Sequence, residues 1–365
     1  MKKKWFAAVT SVMLVGSLLI GCGGTEDKKD AGQAKSEEGK LEKQLVVAGN
    51  GATVEKLMKD EIFKKFNEKF PDVKLTYVSG VSTEIVAKVK AQKNAPQIDV
   101  VVVEGGEQEA GRKEDLWETL DEKEIPNIAK VSDDLKVTDN SGVTVNFTPM
   151  GISYNAELVK EKGLPIPESW NDLARPEMKD NLSLTEVTSN FGRSTLIMLA
   201  YANGGSEKQI DPGFDKLNTI AGYMPTFAKS AAQLEQSLQD QTAVYTTWTM
   251  ARSLVQKEAG LPIEFVFPKE GANIVPNVAA HVKGAKNEHA AKQFIDFLLS
   301  DDVQKLYGEA LFYNPATSVE LSDDVAEKLA FDRDKVVTFD YGAISTHMSE
   351  WLDRFNKETA TKMGK

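Results

Sequence analysis

From Leu45 onward the chain alternates between two rhythms of apolar and polar positions. The run Leu45-Val46-Val47-Ala48-Gly49 is short, apolar and closed by glycine, the pattern of a buried strand. After it, Leu57, Ile62, Phe63 and Phe66 recur at near-helical spacing and predict a helix over Thr53 to Phe70. The segment VKLTYV predicts a second strand, STEIVAKVKAQ a second helix with Ser82 or Thr83 as its N-cap, and IDVVVVE a third strand. Strand, helix, strand, helix, strand implies a parallel sheet with right-handed crossovers. Ligands of such sheets sit beyond the carboxyl ends of the strands. The turns there are Gly49-Asn50-Gly51, Ser79-Gly80 and Glu104-Gly105-Gly106. Any one of them alone is an ordinary turn; three on one edge predict a crevice, with Asn50, Ser82 and Glu104 at its rim.

A second unit follows Pro149. GISYN reads as a strand, PESWNDLARPEMK as a short helix and loop, and NLSLTEV as a strand leading into TSNFGRSTLIMLAYANGG. Ser189 or Asn190 caps that helix, Arg193 stands in its first turn, and Leu196, Ile197, Leu199 and Ala200 face a core. Free N–H groups at a helix start attract anions, so Arg193 is either an anion grip or a solvated side chain. Further on, TAVYTTW is a strand running into the helix TMARSLVQKEAG, and PIEFVFP is another strand. AAKQFIDFLLSDDVQKLYGEA gives two amphipathic helices, the second capped by Ser300 with Asp301 and Asp302 in its first turn, where the helix dipole favours them.

The start of the chain follows neither rhythm. Lys2, Lys3 and Lys4 precede an apolar stretch from Trp5 to Leu19, too short to span a bilayer comfortably, and then Gly21-Cys22-Gly23-Gly24. This is a secretory signal layout, expected to occupy 1–21. Cys22 is the only cysteine of the 365 residues, so no internal disulfide and no thiolate metal cluster is available to it. Residues 22–43 mix both charges with Gly, Ala and Ser and predict a flexible tether, the folded body beginning near Gln44. What remains is long enough for two lobes. The net charge of −11 argues against nucleic acid as a partner, because its phosphates require a basic face.

Catalytic signatures are scarce. The chain has no G-x-S-x-G elbow, no H-E-x-x-H, no phosphate-binding G-x-x-x-x-G-K-[ST] and no paired cysteines. Its three histidines, His281, His289 and His347, lack a second histidine at metal-ligand spacing, and His289 reads as part of a solvated helix start. Carboxylates are plentiful and none stands out, so a membrane-anchored hydrolase with an acid pair is the competing class. No cofactor and no resident metal is expected. An adhesion or purely structural role is a third class.

Several segments, taken in order, carry a resemblance. The stretch LLIGC around Cys22 is similar to the bacterial lipobox, whose cysteine is acylated and becomes the mature N-terminus. GISYNAELVKEKGLPIPESWNDLARPEMK, VFPKEG, GAKNEHAAKQFIDFLLSDDVQ, FYNPAT and FDYGAISTHMSEWLDRFNKE resemble the extracellular solute-binding proteins of bacterial ABC importers. The likeness is to the type II group of spermidine/putrescine binders, with the related iron(III) and aminoethylphosphonate binders, and spans about Gln44 to Asn356. It implies an α/β fold of two lobes with the ligand cleft between them: 44–147 plus about 276–365 in one lobe, 148–275 in the other. It also implies a monomer without enzymatic activity, tethered by lipid to the outer face of the cytoplasmic membrane or free in the periplasm, that closes on its solute and hands it to a permease driven by an ATPase.

The same resemblance nominates ligand residues. Trp248 falls where the polyamine binders stack a ligand on tryptophan, and Tyr313 on one of their aromatic positions. Where those proteins carry a second tryptophan and an ammonium-clamping aspartate, this chain has Val275 and Asn277. A wall and a charge are thus missing for a polyamine. The adjacent tyrosines of iron(III) binders are missing too, and Tyr245 stands isolated. Arg193 and Arg252 suit an anionic group and Glu104 an amine, so the expected solute is polyamine-like or an aminoalkylphosphonate-like zwitterion. The expected ligand set is Asn50, Ser82, Glu104, Asn190, Arg193, Trp248, Asn277 and Tyr313, with Cys22 for lipid.

Overall fold

A computed structural model describes residues 41–364. The expected signal segment, the lipidation site Cys22 and the tether as far as Lys40 lie outside the described residues. The body starts earlier than the composition suggested. Leu41 packs against the core around Phe66 and Phe294. The Glu42 carboxylate accepts the N–H groups of His289 and Ala290, at 3.3 and 2.8 Å, in the first turn of the helix Glu288–Leu298. Those donors have no partner within their helix, which is why a carboxylate distant in sequence is held there. His289 faces this carboxylate through its ring as well, while its side chain stays well exposed at the helix start.

Ten strands form the sheet: β1 (Gln44–Asn50), β2 (Lys74–Gly80), β3 (Val100–Glu104), β4 (Val143–Asn155), β5 (Leu182–Ser183), β6 (Tyr245–Thr249), β7 (Ile263–Val266), β8 (Ala272–His281), β9 (Asn314–Pro315) and β10 (Val336–Val337). The main path runs β2-β1-β3-β8-β4-β6-β5, with β10 on β8 and β7 and β9 on β4. β1 pairs in parallel with β2 and β3, as the helical crossovers require. The sheet becomes mixed at β8, which runs antiparallel between β3 and β4. β3 is buried on both faces, which explains its unbroken valine run.

β4 organises the molecule. Its first half, Val143 to Pro149, pairs with β8, and its second half, Met150 to Tyr154, pairs with β6. The change of partner falls at Pro149, whose missing N–H would interrupt a ladder anywhere else. Two residues on, a Cβ at Gly151 would lie 2.5 Å from the Val266 carbonyl oxygen, so glycine is what lets β7 close on this strand. The second half packs in one large core with Leu196, Phe214, Trp248 and Val275. The first half packs with Phe66, Phe294 and Tyr307. A smaller core, with Ile85, Val101 and Trp117, covers the other face of the first strands.

The C-terminal segment divides between these cores. Phe294, Val303 and Tyr307 pack with the first strands. Phe339, Ile344, Trp351 and Phe355 do not: they pack with Trp248 and Phe214, because the apolar face of the helix Tyr341–Arg354 matches that core. The assignment of the whole of 276–365 to the first lobe is corrected accordingly. The chain therefore passes between the two large cores in β4, in β8 and in the segment from Phe331 to Phe339.

Candidate functional site

The three turns predicted to share an edge are tied to one another. Ser82 donates its hydroxyl proton to Asn50 Oδ1 at 2.9 Å and accepts the Glu104 backbone N–H at 3.1 Å. Tyr77 donates to the Asn50 carbonyl at 3.0 Å. Ser82 is thus not the N-cap expected from sequence. Val81 holds that position, with no side-chain cap, and the Ser82 hydroxyl locks β1, the helix Ser82–Ala91 and β3 together.

Across the sheet, Glu104 on β3 pairs with Asn277 on β8, which in turn pairs with Asn146 on β4. A register irregularity between Thr144 and Asn146 re-aims β4 so that Asn146 Oδ1 accepts the Asn277 amide at 2.7 Å in a buried contact. Tyr313 is brought alongside by the helix Asp301–Leu311, which ends on Phe312 in a left-handed conformation with φ 54°. A bulky residue there is an outlier, held in place by Met250, Val325 and Leu329 around its ring. Burial pushes the Tyr313 phenol upward, the neighbouring Arg252 pulls it down, Glu104 raises it and a hydrogen bond with Asn277 lowers it. A cavity of about 10 Å³ lies beneath Asn50, Asn146, Asn277 and Tyr313, room for about one water molecule. The buried Tyr307 hydroxyl also lines it and has no partner among the described residues.

The opposite wall comes from the large core. Ser189 caps the helix Asn190–Tyr201 by accepting the Phe191 N–H at 3.3 Å, which leaves Asn190 and Arg193 in the first turn. Arg193 is 8% exposed and not solvated. Its Nη2 donates to Glu107 Oε1 at 2.9 Å and to Asn190 Oδ1 at 3.2 Å. A Cβ at Gly106 would lie 3.3 Å from this nitrogen, so the guanidinium lies against bare backbone. Burial works against the Arg193 charge, but Glu107 and then Glu104 more than offset it and hold the guanidinium above its usual value. The Tyr341 ring closes over Gly105 and Gly106, and burial pushes its phenol upward.

Glu104 lies where these groups meet. Burial raises its carboxyl to about 7, with repulsion from Glu107 adding and Arg193, Arg252 and a hydrogen bond from Asn190 opposing. Arg252 is exposed, 5.8 Å from the Phe191 ring centroid, and makes no ion pair among the described residues. Of the expected set, Asn50, Ser82, Glu104, Asn190, Arg193, Asn277 and Tyr313 are gathered at this junction. Trp248 is not a wall of it. Its ring is 0% exposed within the large core and its Nε1 donates to Ser253 Oγ at 2.7 Å. Its strand is covered on both faces, so the residue is core, and its expected stacking role is corrected. Sequence reasoning missed Glu107, Asn146 and Tyr341. For Glu107 the signal was present, an acid three residues after Glu104 on the turn of a crevice-lining helix.

Beside this junction, and sharing Gly105 and Tyr341 with it, lies a cavity of about 400 Å³ lined also by Gln108, Glu109 and Arg112 with Ile274, Pro276 and Val278 of β8. Arg112 is held there by both oxygens of Glu109, at 2.7 and 2.8 Å.

A two-core α/β body crossed by shared strands, with polar side chains from both cores meeting at the carboxyl edge of a sheet, has the fold of type II periplasmic binding proteins. Residues 61–332 match the family of bacterial extracellular solute-binding proteins, and the chain belongs to that family. It is 28% identical over 264 residues to the spermidine/putrescine-binding periplasmic protein of Escherichia coli strain K12, covering 70% of this chain and 74% of that one. It is 24% identical over 298 residues to iron uptake protein A1 of Synechocystis, covering 75% and 77%. Among solved structures it is similar to the periplasmic binding protein AfuA of Actinobacillus pleuropneumoniae with exogenous fructose-6-phosphate bound. There the TM-score is 0.73 and the identity 26%, over 87% of this chain and 99% of that one. The protein is a solute binder and not an enzyme, and its family is extracellular.

Proposed function

We propose that the protein is the solute-capturing component of an ABC importer, and that its solute is a small molecule bearing an amine, most simply an aminoalkylphosphonate-like zwitterion. The two large cores act as lobes. One is built on β1, β2 and β3, the other on residues 148–275 with the terminal helix, and they hinge on the shared strands. Contacts made with both lobes exist only in the closed form, so a solute that makes them shifts the population toward closure.

The observation that carries the amine reading is Glu104, a carboxyl raised by burial at the meeting of the two cores. A buried carboxylate is costly without a paired cation, and an ammonium supplies one. Arg193 is already engaged by Glu107, whereas Arg252 is left for an anionic group. A polyamine with two ammonium groups is less well served. Asn277 is committed to Asn146 and Val275 is buried in the core, so neither a second acid nor a second wall is offered. Iron(III) is disfavoured because the Tyr245 hydroxyl donates to the Pro165 carbonyl at 2.7 Å. Cys22, acylated, would keep this trap at the membrane beside its permease.

The test is a thermal-shift and calorimetry series on the purified full chain with 1,4-diaminobutane, spermidine and 2-aminoethylphosphonate. A bound solute at hundredfold excess over its Kd stabilises the protein by about 2.7 kcal/mol and is recovered intact. Affinity for the amine is expected to rise as pH passes about 7 and Glu104 ionises. Glu104→Gln is expected to abolish both the binding and its pH dependence; unchanged affinity in that variant would refute the amine reading.

A further inference from the structure

We infer that Glu107 sets the charge selectivity of the site by withholding Arg193 from the solute. The inference rests on the amine reading of Glu104 and adds to it the reason why amines are preferred over plain anions.

Arg193 comes from the large core and Glu107 from the helix Gly105–Lys113, which packs on the first strands, so their 2.9 Å ion pair spans the junction. Both side chains are more than nine-tenths buried. Glu107 Oε1 takes the arginine, while Oε2 is buried without a partner among the described residues. A carboxylate serving only to stabilise its own helix start would stay in water, where the dipole still favours it. Here the cost of burial is offset by a single cation, and that cation is also the one that acts most strongly on Glu104. With the lobes closed and the pair made, Glu104 holds the solute's ammonium with Arg193 already neutralised. With Glu107 uncharged, Arg193 is left buried and unpaired, turns to Glu104, and weakens the amine site. At the same time it becomes a receptor for any anion that reaches it.

The variant is Glu107→Gln in the full chain, the probes inorganic phosphate and 1,4-diaminobutane, and the readouts calorimetry and thermal shift. Glu107→Gln is expected to gain phosphate binding at least about tenfold over the native protein and to lose amine affinity by a similar factor, the scale of a removed buried charge partner. Adding Arg193→Gln to it should abolish the gained phosphate binding. If Glu107→Gln lowers the melting temperature but leaves phosphate binding at the native level, Glu107 is a structural acid and the inference is overturned. Failure of the amine reading itself shows differently, as equal amine affinity in the native protein and Glu104→Gln, whatever Glu107→Gln does with phosphate.

Discussion

If Glu104 holds the solute's ammonium as proposed, solute capture is coupled to proton loss. Its carboxyl is raised in the folded state, so the native protein keeps a proton that the unfolded chain releases above about 4.5. The stability contributed by the neutral form is therefore complete below that pH and drains away as pH climbs to about 7. A bound ammonium reverses the drain by pairing with the ionised form. Trp248 behaves oppositely. Trp248→Ala is expected to destabilise the protein by about 3 to 5 kcal/mol, read by urea unfolding, with cavity formation as the cause. Were Trp248 a ligand wall, that variant would lose affinity at nearly native stability. Both residues looked alike in sequence, since each follows a run of strand formers. They differ because β6 is wholly buried, whereas β3 ends at an open edge. Glu107 escaped notice for a related reason: an acid in a first helical turn is explained by the dipole alone, and only the fold reveals the arginine across from it.

At the scale of elements, periodicity was informative wherever a segment buries one face. The helix spacing of Ile62, Phe63 and Phe66 survives a π-helical turn at Met58–Ile62 because the same face stays buried through it. Periodicity was silent for β8 and for the first half of β4, which carry Pro276 and Pro149, residues that normally argue against a central strand. Those prolines are tolerated where partners change, a property of the sheet and not of the segment. Gly151 makes this testable. Gly151→Val places side-chain atoms against the Val266 carbonyl and the Phe265 ring, and β7 must detach or shift. Destabilisation of about 1 to 3 kcal/mol is expected, measured by chemical denaturation, with faster amide exchange along Ile263–Val266. Unaltered exchange there would mean that β7 is not held by this close approach.

For the molecule as a whole, the two-lobe plan and the crevice edge were legible from the order of strands, helices and glycine turns. The terminal helix was not, because nothing in its amphipathic pattern says which core receives its apolar face. Anchor and trap are expected to be separable. Cys22→Ser should release or misprocess the protein in a membrane fractionation while leaving solute affinity at the native value; if affinity fell with it, the division would fail. The placement of the terminal helix has a practical consequence. Leu41 packs on the core of the first strands, whereas Ala360 and Met363 pack on the other. On the proposed hinge the two ends of the body ride on different lobes, and a pair of dyes attached near them is expected to report closure as a colour change.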